Sequence, residues 1–107
     1  QTGPTLASAK LPEVLQKAIR KDQQTTIEKF NFSQQEQQQM VVQQFTDYVN
    51  KLIAATYEDL SQIRQSIQYR LGDFETTLKQ LVNDVEKKPQ ELVWFLSDFA
   101  TAIIHRL

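Results

Sequence analysis

The stretch that decides the fold is Pro89 to Leu107, which reads PQELVWFLSDFATAIIHRL. It predicts a helix, because proline stands at its start, where it is favoured as the first helical residue. At 100° per residue its apolar side chains cover an arc of roughly 200°, about twice the stripe of an ordinary surface helix. Such a helix needs neighbours on more than one side.

The rest of the chain also predicts helices. Only two glycines and three prolines occur in 107 residues, which leaves few turns for hairpins and sheets. The length is that of one domain. We therefore expect an all-α protein, an antiparallel bundle of about four helices over residues 11–107. Residues 1–10 carry no periodic apolar pattern and are predicted to form a flexible leader.

A long central helix is predicted over residues 34–71, because no glycine or proline interrupts this stretch and its apolar residues keep a period near 3.6. Such a helix is about 55 Å long at 1.5 Å per residue. Thr56 to Asp59 resembles a capping box, but the apolar stripe does not shift phase there. Gly72 followed by Asp73 predicts a helix stop and a new N-cap, before a third helix over residues 74–87. The alternative is a longer helix that continues through Gly72.

The first predicted helix begins near Leu11 and Pro12 and then changes its apolar face. One face carries Leu11, Val14, Leu15, Ala18 and Ile19. That face next meets Asp22, after which the apolar residues lie on another side of the helix. We expect either a kink near Asp22 or a hydrogen-bonded partner for its carboxylate, because burying an unpaired carboxylate costs free energy.

The residues offer no catalytic or metal centre. The chain has no cysteine, one histidine and no glycine-rich phosphate loop. Asp98 and His105 are seven residues apart on one predicted helix, about 10 Å, whereas a catalytic triad needs contacts near 3 Å. We therefore expect no enzyme activity, no cofactor and no metal.

Charge and hydropathy also limit the partners. Lysine and arginine number 12 against 13 acidic residues, so the chain lacks the basic balance of a nucleic-acid binder. One basic cluster consists of Lys10, Lys17, Arg20 and Lys21, and neighbouring acids favour its interpretation as a solvated face. The longest uncharged apolar run is five residues, so no stable membrane insertion is expected.

Trp94 is the candidate for a binding role. It lies in the polar sector of the last predicted helix, opposite much of the apolar arc, and tryptophan is enriched at binding hot spots. Either the first helix or the leader covers it, or a partner does. The predicted partner-binding residues are Trp94, Gln90, Asp98, Thr101 and His105.

These observations predict a non-enzymatic protein–protein interaction or dimerisation module, of the kind that forms regulatory domains within longer chains. Its partner would be another protein or a second copy of the chain, because a 55 Å helix outreaches its neighbours and leaves part of its stripe uncovered. The alternative is a carrier of an apolar small molecule in the bundle core, since such cores can open into cavities.

Overall fold

Four helices make up the bundle, in a computed structural model that describes residues 8–82 and 89–107. They are α1 (Glu13–Ile27), α2 (Gln35–Ala54), α3 (Leu60–Val82) and α4 (Pro89–Arg106). About 81% of the described residues are helical, and none of them forms a strand. The predicted all-α class and four-helix bundle are confirmed.

The helices pack as a closed ring, in which α1 and α3 each contact both α2 and α4. Early in α2, the side chain of Gln37 donates a hydrogen bond to the carbonyl of Leu81, near the end of α3. Later in α2, the hydroxyl of Tyr48 donates to the carbonyl of Ile67 at 2.9 Å. Because early residues of one helix meet late residues of the other, α2 and α3 are antiparallel.

Aromatic rings fill the centre of the ring of helices. Phe45 of α2 is fully buried. Its ring meets that of Phe99 of α4 edge-on, with centroids 4.9 Å apart, and stacks on Phe74 of α3 at 5.8 Å. Phe30, in the connection after α1, lies 6.2 Å away. One side chain therefore joins three helices and a connection, and aromatic pairs of this geometry add stability beyond their buried area.

The predicted central helix over residues 34–71 is wrong, because the chain reverses direction at residues 55–59. Tyr57 is buried there, and its hydroxyl donates to the carbonyl of Leu52 at 2.7 Å. The backbone N–H and C=O of Tyr57 also pair with those of Ala9, at 2.8 and 2.9 Å. The segment before α1 therefore holds the connection between α2 and α3 in place.

A side-chain cap starts α3 after this reversal. The backbone N–H of Gln62 donates to the Asp59 carboxylate, and the Gln62 side-chain oxygen accepts from the backbone N–H of Glu58, both at 2.9 Å. This reciprocal arrangement is close to a capping box, three residues later than the Thr56 to Asp59 pattern in the sequence. The apolar period led to the prediction of a single helix because the apolar residues of α3 happen to continue the period of those of α2 across the connection.

The predicted helix stop at Gly72 is also wrong, because α3 continues through it to Val82. Gly72 is exposed and does not have a positive φ, so its backbone is one that any residue can adopt. The predicted third helix therefore starts at Leu60 rather than Phe74, and residues 83–88 lie outside the described residues.

The apparent change of face in α1 comes from polar residues at core positions, and the helix is continuous. Gln23 and Thr26 are buried. The Gln23 amide donates to the Thr46 hydroxyl at 3.0 Å, and the Thr26 hydroxyl donates to the Asp22 carbonyl at 2.8 Å. The Asp22 carboxylate accepts two hydrogen bonds from Arg106, at 3.0 and 3.1 Å. The expected partner for Asp22 is confirmed, and the helix does not break there.

Candidate interaction surface

α4 turns opposite faces to the core and to solvent. Its buried residues are Leu92, Leu96, Phe99, Ala100 and Ile103. The five predicted partner-binding residues lie together on the other side, and all five are exposed. We call this set the α4 outer face: Gln90, Trp94, Asp98, Thr101 and His105. Their spacing of three or four residues aligns them along the helix for about 22 Å.

Trp94 is the large apolar group of the α4 outer face. Its side chain is 60% exposed, although α1 packs beside α4. The alternative in which the first helix covers Trp94 is therefore wrong, and residues 1–7 of the predicted leader lie outside the described residues. Tryptophan provides a large contact area with few rotatable bonds, which is why it is enriched at binding hot spots.

The backbone beneath Trp94 is held by the core. Phe95 packs its ring against Phe30 with centroids 6.4 Å apart, and Leu96 is fully buried. At the far end of α4, Arg106 binds Asp22 of α1 through two hydrogen bonds, which also raise the pKa of the guanidinium. Because α4 is held beside Trp94 and at its C-terminal end by neighbouring elements, the α4 outer face is preorganised.

Charges of opposite sign occupy opposite ends of α4. Glu91 lies in the first turn, whereas His105 and Arg106 lie in the last. This distribution complements the helix dipole, which favours acids at the N-terminus and cations at the C-terminus. Asp98 adds an exposed acid in the middle of the helix, whereas Glu91 is half-buried. A surface that binds along α4 therefore contacts acidic groups near the N-terminus of the helix and basic groups near its C-terminus.

A second exposed apolar feature is a groove of about 340 Å³ at the end of the bundle where α1 and α3 begin and α4 ends. We call it the end groove, and its lining residues are Pro12, Val14, Leu15, Ala18, Leu60, Ile63, Arg106 and Leu107. Val14 is 77% exposed and Leu60 49%, although Val14 belongs to the apolar face predicted for the first helix. Gln23 and Thr26 hold the core positions of α1, which turns Val14 outward. The apolar pattern of the sequence did not predict this orientation of Val14, because polar residues occupy buried positions of α1.

The basic cluster on α1 is partly engaged. Lys17 lies 3.5 Å from the carboxylate of Glu13, and both side chains are exposed. Arg20 donates to the side chain of Asn50 in α2 at 3.2 Å. Exposed contacts of this kind contribute little stability. Glu13 offsets the charge of Lys17, whereas the neutral side chain of Asn50 leaves the charge of Arg20 in place.

Comparisons with known proteins do not assign a function. No protein-family model matches the chain, and neither the curated proteins nor the solved structures give a match. Within residues 8–82 and 89–107, no three histidine, aspartate and glutamate side chains come together as a metal-binding group. In the same ranges no helix has the length and hydropathy needed to cross a membrane. Function is therefore inferred from the surface chemistry of the bundle.

Proposed function

We propose that this chain is a non-enzymatic protein-interaction module that binds its partner, another protein or a second copy, through the α4 outer face. The observation that carries this proposal is the 60% exposure of Trp94 on that face. An aromatic anchor surrounded by polar side chains is the usual composition of an interaction hot spot and its rim. Gln90, Asp98 and Thr101 supply polar groups around the indole.

The rigidity of α4 supports the same function. The contacts of Phe95 with Phe30 and of Arg106 with Asp22 hold the helix before any partner arrives. Association then requires little further ordering of the backbone, which lowers the entropic cost of binding. Hydrogen bonds from the side chains of Gln90, Asp98 and Thr101 can then orient a partner that covers the indole of Trp94.

The test is photo-crosslinking from position 94 in cells that produce the chain. A benzophenone amino acid replaces Trp94 in one variant and Tyr69 in a matched control, since Tyr69 is 74% exposed on α3 and does not belong to the α4 outer face. We expect discrete cross-linked products from position 94 that are missing from position 69. No products from position 94, or the same products from both positions, would contradict the proposal.

A second candidate function, a carrier of an apolar small molecule, is favoured by the end groove. Its volume of about 340 Å³ lies at the lower end of the roughly 300–1,000 Å³ found for small-molecule sites, and most of its lining is apolar. Phe45 and its aromatic neighbours fill the middle of the bundle, so this function places the ligand at the end groove rather than in the core. Leu60→Asp should then abolish binding of an apolar fluorescent probe, whereas Met40→Asp, at an exposed position on α2, should not.

A further inference from the structure

The α4 outer face carries a projecting side chain and, at its edge, the residue spacing that surrounds a hole on a helix surface. We call the space between the four residues of this pattern the depression. Trp94 projects, because it is largely exposed. One turn further along lie four exposed residues with the i, i+3, i+4, i+7 spacing that surrounds a hole on a helix surface: Asp98, Thr101, Ala102 and His105. The two residues in the middle of this set, Thr101 and Ala102, are small. Because both are small, helix geometry allows a large side chain from a facing helix to enter the depression.

We propose that the partner which covers the α4 outer face is a second copy of this chain, with the two α4 helices antiparallel and Trp94 of each seated in the depression of the other. This inference rests on the proposed function, since it uses the same surface. The centre of the depression lies between Thr101 and Ala102. A two-fold axis at the level of Asp98 brings Trp94 of each copy opposite that centre, so that one contact is made twice, as in other isologous dimers.

The charges of α4 favour this antiparallel pairing. Glu91, Asp98 and His105 are seven residues apart and lie in one row along the helix. About an axis at Asp98, Glu91 of each copy faces His105 of the other. An imidazole can donate a hydrogen bond to a carboxylate when neutral and forms an ion pair with it when protonated. A parallel pairing would instead place Glu91 opposite Glu91 and Asp98 opposite Asp98, and would leave His105 without a carboxylate partner.

One like-charge contact remains in the antiparallel pair, and it gives a prediction that distinguishes this pairing from others. The Asp98 carboxylates of the two copies meet near the axis, where mutual repulsion weakens association. Asp98→Asn removes that repulsion and keeps the size of the side chain, so the variant should associate more tightly than the wild type.

Sedimentation equilibrium of the full chain between about 1 µM and 1 mM tests the pairing. We expect a monomer–dimer equilibrium for the wild type. Trp94→Ala should weaken it by about 30-fold or more, the loss typical of a hot-spot tryptophan. Tyr69→Ala, which removes an exposed aromatic ring from α3, should leave it unchanged. Far-UV circular dichroism and urea unfolding of each variant verify that the bundle is intact.

A charge exchange tests the direction of the helices. Glu91→Lys and His105→Glu should each weaken self-association, because the first removes the carboxylate that faces His105 and the second places two carboxylates opposite one another in a homodimer. An equimolar mixture of the two variants should recover dimerisation, since the introduced lysine then faces the introduced glutamate and the native Glu91 faces the native His105. Recovery in the mixture supports an antiparallel second copy.

A wild type that stays monomeric up to 1 mM, a dimer unaffected by Trp94→Ala, or a mixture without recovery would each overturn this inference. The proposed function is judged separately, by the cross-links from position 94. Products with a different polypeptide would leave the interaction module standing without self-pairing, whereas no products at all would remove both.

Discussion

At the scale of single residues, buried polar side chains specify how the helices meet. Gln23, Thr26 and Gln37 are all buried, and each donates a hydrogen bond. In the described part of the chain, no buried side-chain nitrogen or oxygen lacks a partner. Because an unpaired buried amide costs about 1–3 kcal/mol, Gln23 and Gln37 favour only those arrangements that bring their partners within reach. They add specificity to a core whose apolar side chains pack less selectively.

Gly72 is a residue at which stability can be gained. It lies in the interior of α3, its φ is not positive, and a β-carbon added there meets no atom within 4 Å. Gly72→Ala should therefore raise the free energy of unfolding by about 0.5–1 kcal/mol, because alanine loses less backbone entropy in a helix. The midpoint of urea unfolding measures this. Unchanged or lower stability would show that Gly72 has a requirement that the structure does not reveal.

At the scale of elements, the reversal between α2 and α3 depends on contacts that are distributed over the chain. Tyr57 binds back to Leu52 and pairs with Ala9, while Asp59 caps the start of α3. Helix propensity alone would allow α2 to continue into α3 as one helix, since residues 54–60 contain neither glycine nor proline. Burial of the Tyr57 ring in the core offsets the loss of helical hydrogen bonds at the turn.

The cap of α3 gives a prediction at this scale. Asp59→Ala removes the carboxylate that accepts from the Gln62 backbone, and should lower the free energy of unfolding by about 1 kcal/mol. Glu58→Ala is the matched control, because Glu58 contributes only its backbone N–H to the cap and the substitution keeps it. Urea unfolding of the two variants measures the difference. Equal stabilities would mean that the carboxylate does not stabilise the start of α3.

At the scale of the whole molecule, burial of Tyr48 sets an alkaline limit to stability. Burial raises the pKa of this phenol, and the nearby Tyr57 and Glu75 raise it further. In the unfolded chain a tyrosine ionises near pH 10. The contribution of Tyr48 is therefore fully present below about pH 10 and is lost as the pH rises through the folded-state pKa, because the unfolded state then binds fewer protons than the folded state.

Urea unfolding between about pH 8 and pH 11 tests this expectation. Tyr48→Phe should reduce the fall in unfolding free energy above pH 10, while it costs about 1 kcal/mol at neutral pH through loss of the hydrogen bond to Ile67. Tyr69→Phe alters an exposed phenol and should change neither quantity. If the alkaline slope of Tyr48→Phe equals that of the wild type, Tyr48 does not set the limit.

The sequence predicted those properties that depend on one helix at a time. It predicted the all-α class, the start of α4 at Pro89 and the membership of the α4 outer face, with Trp94 on the side away from the apolar arc. These follow from periodicity, because the angle between two side chains on one helix depends only on their separation in the chain. The role of the α4 outer face stays a prediction.

Tertiary structure decided what depends on two or more elements. In the reversal at residues 55–59, Tyr57 pairs with Ala9, which is 48 positions away in the sequence. The partner of Asp22 is Arg106, from the other end of the chain. The exposure of Val14 follows from which side of α1 its neighbours cover. A helical period gives the angle of each side chain around a single axis. It contains no information on which distant group will form a hydrogen bond with a buried polar atom or with the end of a helix. These features therefore appear only when the helices are packed together.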